Sequence, residues 1–164
     1  EGMIDFGVIS TPIQKRMDFK FRKVRDIQDV FVAGKKFEYL AEKQLSYKDL
    51  ETLPVMCLEG NTSTRAYVEG FLRESGGPLQ PEFELATSDM LIRFAIRGFG
   101  IAGVAEDFAL EAMEKGEIFR LHFDREIPKR HFCIVTDEKV PMTAAARRFL
   151  DLLEDKCTSD KNKT

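Results

Sequence analysis

The chain has 164 residues, 43% of them hydrophobic, enough to bury the core of one domain or of two small lobes. Its 25 lysines and arginines stand against 28 aspartates and glutamates, and the net charge of −3 excludes a globally basic surface for nucleic acid or anionic lipid. Cys57, Cys133 and Cys157 are widely spaced with no Cys-x-x-Cys pair, which argues against a disulfide framework or zinc knuckle and for a reducing cytoplasm.

No apolar run approaches the roughly 20 residues of a membrane span, and the first residues lack the pattern of a secretion signal. The run Ile4 to Ile9, ended by Ser10, Thr11 and Pro12, predicts a buried strand running into a polar loop. Met17 to Val24 predicts a partly alternating extended stretch, and Ile27 to Ala33 continues it with β-branched and aromatic residues. A short helix is expected over Ser46 to Leu50, with Asp49 at the reciprocal capping-box position. Pro54 then stops it before a strand over Val55 to Leu58.

Asn61, Thr62, Ser63 and Thr64 open a helix whose face carries Tyr67, Val68, Phe71 and Leu72, and Gly76, Gly77 and Pro78 end it. After a strand near Glu82 to Ala86, Thr87 or Ser88 caps a helix ending at Gly98, and Gly100 to Ala105 is again a strand. Glu106 to Lys115, closed by Gly116, predicts a helix with charges that match its dipole. Strands are expected near Ile118 to Leu121 and Phe132 to Val135. Ala146, Phe149, Leu150 and Leu153 give a last amphipathic helix, and residues 156–164 form a polar tail expected to fray. Alternation of strands and helices predicts an α/β fold with largely parallel sheets.

In this order the elements resemble the co-inducer-binding domain of LysR-type transcriptional regulators. The residues that carry the resemblance are Ile4-Asp5-Phe6-Gly7-Val8-Ile9, Asp49-Leu50 with Leu53-Pro54, Asn61 to Arg65, Gly98-Phe99-Gly100-Ile101-Ala102 and Ala144 to Leu150. The resemblance implies a two-lobed fold like that of type 2 periplasmic binding proteins. Residues 1–24 and 132–155 would form the first lobe and 25–131 the second. In that family a strand, a helix, a strand and a helix precede the position of Ile4. A winged helix-turn-helix precedes those, so the first lobe is expected to be incomplete here, and DNA would be contacted only through that absent domain.

The resemblance also implies a small effector, commonly an organic acid, held between lobes, with a homo-oligomer in the full-length protein. It places Ser10 and Thr11 from one lobe, and Asn61, Thr62, Ser63 and Thr64 from the other, at the effector cleft. A helix start and a strand end suit that role because unpaired N–H groups and the helix dipole favour an anion. The plainer alternatives are that Thr62 to Thr64 cap the helix and that Ser10 and Thr11 end a strand in a turn. Arg65 could pair with a ligand carboxylate, although an arginine in a first turn more often faces solvent, and Thr87 and Ser88 are expected to be plain caps.

No nucleophile elbow, phosphate loop or Cys-His pair is present, so the chain is expected to bind rather than catalyse and to need no cofactor. His122 and His131 lack ligand-spaced neighbours, and Cys57 and Cys133 are expected to be buried small hydrophobes. Alternatives sharing the fold are a transporter's solute-binding protein and, more distantly, an enzyme built on the same framework.

Overall fold

A computed structural model describes residues 4–11, 19–77, 79–137, 139 and 141–160, with side chains through Leu153. Met17, Pro12, Pro78 and residues 161–164 of the expected elements lie outside these. The strands in chain order are β1 (Phe6–Ser10), β2 (Phe19–Ile27), β3 (Asp29–Gly34), β4 (Gln44–Leu45), β5 (Val55–Leu58), β6 (Phe83–Leu85), β7 (Ile101–Ala105), β8 (Ile118–Arg120), β9 (His122–Phe123) and β10 (Arg130–Asp137). The α-helices are α1 (Ser63–Glu74), α2 (Ser88–Ile96), α3 (Leu110–Glu114) and α4 (Ala144–Asp160). The chain divides into two compact units, one of Glu1–Ile27 with Arg130–Thr164 and one of Gln28–Lys129.

In the first unit β10 lies between β1 and β2 and runs antiparallel to both. Asp5, just before β1, accepts from the Thr143 backbone N–H and hydroxyl, both at 2.9 Å, and Thr143 in turn accepts from Ala146 N at 3.2 Å. One carboxylate thus fixes the residue that caps α4. The rings of Phe6 and Phe149 stack at 5.6 Å, joining the strand to the same helix. The helix continues to Asp160, past the expected start of a tail at 156. No glycine or proline interrupts this stretch, and an established helix adds residues at little cost.

The second unit is built on a five-stranded sheet in the order β6-β5-β7-β3-β8. Pairs β5–β6 and β5–β7 are parallel, whereas β3 runs antiparallel to β7 and β8, so the sheet is mixed and not largely parallel as expected. Direction follows from the connections: β5, β6 and β7 are joined through helices that return the chain to the same end of the sheet, while β3 enters from the opposite end. Strand alternation separates two apolar layers. Phe31, Ala33, Val55, Cys57 and Ile101 face α1 residues Val68, Phe71 and Leu72. Val30, Val32, Met56, Ala102 and Val104 face Leu91, Ile92 and Ala95 of α2 and Ala112 of α3.

The expected helix over Ser46 to Leu50 is a 3-10 helix at Tyr47–Thr52. Asp49 Oδ2 accepts from Ser46 N at 2.7 Å and from Ser46 Oγ at 2.9 Å, so Asp49 makes the reciprocal half of the capping box, and its carboxyl is held below its usual range by these bonds. The expected helix Glu106 to Lys115 is a 3-10 turn at Glu106–Phe108 followed by the shorter α3. At the end of α2, Gly98 has φ 74°, Gly98 N donates to Ala95 O at 2.9 Å and Phe99 N to Phe94 O at 3.1 Å. That bond pair needs a left-handed residue and brings Phe94 and Phe99 into contact at 5.1 Å, as a Schellman ending does.

Candidate functional site

The start of α1 is organised by one hydroxyl. Thr62 Oγ1 accepts from Arg65 N at 3.2 Å and donates to Glu59 O at 3.1 Å, so Thr62 is the helix cap, in extended conformation. Asn61 before it and Ser63 after it are exposed, and Thr64 is half-buried. The plain capping role therefore belongs to Thr62. In the first unit, Thr11 continues the pairing of β1 with β10: its N–H donates to His131 O and its Oγ1 accepts from His131 N, both at 2.9 Å. Ser10 ends β1 opposite Phe132. Thr87 caps α2, accepting from Met90 N at 3.3 Å.

Arg65 neither faces solvent nor stands ready for a ligand. Its side chain is 6% exposed; Nε donates to Glu69 Oε1 at 2.7 Å, and Nη1 to Glu84 Oε1 at 3.0 Å and Leu58 O at 3.1 Å. A guanidinium placed one turn into α1 thus meets the end of β5 and a residue of β6, and a buried charge persists where such partners surround it. Burial alone would lower its pKa, but the hydrogen bonds to Glu69 and Glu84 outweigh that and raise it. The Glu69 partner is visible as an i, i+4 pair. Glu84 lies 19 residues away, and only the parallel pairing of β5 with β6 brings it close.

Cys57 and Cys133 are buried free thiols. Burial is the main cause that pushes the Cys57 thiol up to about 12, with Arg65 opposing and Glu69 and Glu84 adding to the rise. A thiol so protonated is a poor nucleophile or redox sensor. His122 is exposed and His131 half-buried, and among the described residues no group of three metal-ligating side chains assembles. No described helix is long and apolar enough to cross a membrane. A cavity within the second unit, about 50 Å³ and lined by Asp29, Phe31, Tyr47, Arg120 and His122, has room for water rather than for a metabolite.

Sequence reasoning did not anticipate four side chains that hold the end of β9 and the segment after it by their carbonyls. Gln44 Nε2 donates to Phe123 O at 2.7 Å, Tyr47 Oη to Arg125 O at 2.6 Å, Gln28 Nε2 to Ile127 O at 2.8 Å and Tyr67 Oη to Pro128 O at 2.8 Å. The sequence separations run from 61 to 99, beyond any local pattern.

Similar solved structures include regulatory domains of transcriptional regulators. The CcmR regulatory domain of Synechocystis PCC6803 in complex with 2-PG is 17% identical, with a TM-score of 0.79 over 92% of this chain and 72% of that one. The effector binding domain of QuiR in complex with shikimate is 10% identical, with a TM-score of 0.76 over 94% and 72%. The regulatory domain of CrgA, a LysR-type transcriptional regulator from Neisseria meningitidis, is 16% identical, with a TM-score of 0.66 over 94% and 76%. At such identities the likeness establishes the fold, that of type 2 periplasmic binding proteins. Comparison with curated proteins gives no match. Residues 1–158 match the LysR substrate binding domain family, whose members bind effectors and are not enzymes. With nearly the whole chain matched, the protein belongs to that family, as an effector-binding domain of the LysR-type transcriptional regulators.

Proposed function

We propose that the effector of this domain is a small organic anion, contacted by Ser10 and Thr11 of the first unit and by Asn61, Thr62, Ser63 and Thr64 of the second. Sensing takes place in the cytoplasm. Occupancy would change transcription by favouring one conformation of a homo-oligomeric regulator whose winged helix-turn-helix contacts DNA. The observation that carries this reading is the start of α1. Its cap is formed, the two residues flanking Thr62 are exposed, and a 12-residue helix presents the positive end of its dipole there. The ligands of the similar structures, 2-PG in CcmR and shikimate in QuiR, support a small polar metabolite, and shikimate carries a carboxylate.

The test is a thermal-shift screen of this chain against small carboxylates, shikimate among them. A ligand that binds only the folded form raises the melting temperature in a concentration-dependent way. Asn61→Ala, Ser63→Ala and Thr64→Val leave the Thr62 cap in place and are expected to reduce the shift, as are Ser10→Ala and Thr11→Val. A carboxylate-induced shift that survives all five substitutions would remove these residues from the site.

A further inference from the structure

Strand direction gathers polar groups at one end of the second unit's sheet. Asp29, the first residue of β3, pairs with Ala105, the last of β7, and Gln28 O accepts from Glu106 N at 2.8 Å, so Gln28 stands where β7 ends. Because β5 runs parallel to β7, the start of α1 follows at this same end. Only β7 lies between β5 and β3. With neighbouring strands about 4.8 Å apart, Gln28 and the start of α1 are separated by on the order of 10 Å.

The Gln28 side chain is half-buried, and its amide can take one orientation. Nε2 donates to Asp29 O at 3.0 Å and to Ile127 O at 2.8 Å, which uses both hydrogens of the group. Turned over, the amide would set its oxygen against two carbonyl oxygens. Among the described residues nothing donates to Oε1. Gln28 therefore presents an acceptor that is rigid, uncharged and unengaged.

We propose that Gln28 Oε1 accepts a hydrogen bond from a hydroxyl or N–H group of the effector, and so selects, among small organic anions, those that also carry a donor. The inference rests on reading the start of α1 as the place of the anion, and it assigns the other end of the same molecule. A span on the order of 10 Å with a hydrogen bond of about 2.9 Å at each end leaves roughly 4 Å between the polar atoms of the ligand, the size of a small hydroxy acid. An acid without the donor would cover Oε1 and leave it unpaired, which is how a fixed polar group discriminates.

The test compares acids that differ by one hydroxyl, butyrate with 3-hydroxybutyrate and benzoate with 3-hydroxybenzoate, by titrating the melting temperature of the whole chain. In at least one pair the hydroxy acid is expected to bind about fivefold tighter, the return from one hydrogen bond. Gln28→Met, which has no acceptor of this kind, is expected to abolish that ratio while the plain acid still binds. Tyr47→Phe loosens the same neighbouring segment by removing the bond to Arg125 O without touching Gln28, and is expected to keep the ratio. In the unsubstituted chain, the Gln28 side-chain carbonyl carbon resonance is expected to move with the hydroxy acid and not with its partner, a readout that needs no variant. Equal binding within both pairs would overturn this proposal and leave the anion reading standing. Binding by none of the four acids, a ratio that survives Gln28→Met or is lost equally in Tyr47→Phe, or a carbonyl resonance indifferent to the hydroxyl would also overturn it.

Discussion

Replacing Arg65 with methionine isolates what the buried guanidinium contributes. The change removes one hydrogen bond to a backbone carbonyl and two to carboxylates, and bonds to charged groups contribute roughly 1.5–3 kcal/mol each when both partners are desolvated. Here only Arg65 is desolvated, for Glu69 and Glu84 are 35% and 47% exposed and regain water when the guanidinium goes, which brings each pair toward the about 0–1 kcal/mol of a surface bridge. Loss of the donor to Leu58 O adds about 1 kcal/mol. Methionine restores most of the apolar stem, so the expected cost of Arg65→Met is about 2 kcal/mol. With a urea slope near 2 kcal/mol per molar, the unfolding midpoint falls by about 1 M. Far-UV circular dichroism is the suitable signal, since the chain has no tryptophan. Arg65→Lys keeps the charge but not the planar fork and is expected to lose about half as much. The triple variant Arg65→Met, Glu69→Gln, Glu84→Gln removes the like charges of the two carboxylates that shared the guanidinium and should recover part of the loss. A midpoint for Arg65→Met equal to that of the unsubstituted chain, or a triple variant no more stable than the single one, would refute this account.

Gly34 at the end of β3 lies against the end of α2, where a Cβ would fall on the carbonyl oxygen of Ala95 and within 3.1 Å of Ile96 O. Because backbone cannot step aside as a side chain can, Gly34→Ala is expected to cost about 3 kcal/mol in thermal or urea unfolding, and an unchanged midpoint would show that α2 shifts freely. Above pH 9 the second unit should lose stability. Burial pushes Cys57 from 9.0 up to about 12, and burial, helped by Asp124 and Glu126, pushes Tyr47 from 10.0 up to about 12. Between those values the unfolded chain gives up protons the folded one retains, so the stabilisation is complete below pH 9 and is lost as pH rises toward 12. Cys57→Ala should flatten the pH 9 to 12 limb of a urea-midpoint profile, and native Cys57 should resist iodoacetamide at pH 8; prompt alkylation in the folded state would contradict both expectations.

What could be foreseen from the sequence divides by distance along the chain. The caps of α1 and α2 were legible as one of Thr62 to Thr64 and as Thr87 or Ser88, and Asp49 as a capping-box residue, because a cap acts within three residues; the structure selects Thr62 and Thr87, while Gly98 and Gly116 were legible because a left-handed helix ending leaves a local signature. The β-branched and aromatic residues of Ile27 to Ala33 likewise marked a strand, and the structure buries both of its faces. Strand direction was not foreseeable in this way: nothing near β3 states that it will run against β7, because that depends on where the chain enters the sheet. The same limit explains the misjudged Arg65. From α1 alone, an arginine in the first turn has solvent on one side and Glu69 on the other, and solvent is the ordinary outcome. Only when β6 pairs in parallel with β5, setting Glu84 beside Cys57, does a carboxylate come within reach of the guanidinium, and burial of Arg65 follows. Its charge is thereby committed to holding α1 against the sheet, so that under the proposed reading of this helix start the effector would meet hydroxyl, amide and backbone groups. A site so composed discriminates by hydrogen-bond geometry more than by net charge, so the affinity of its effector should depend only weakly on ionic strength.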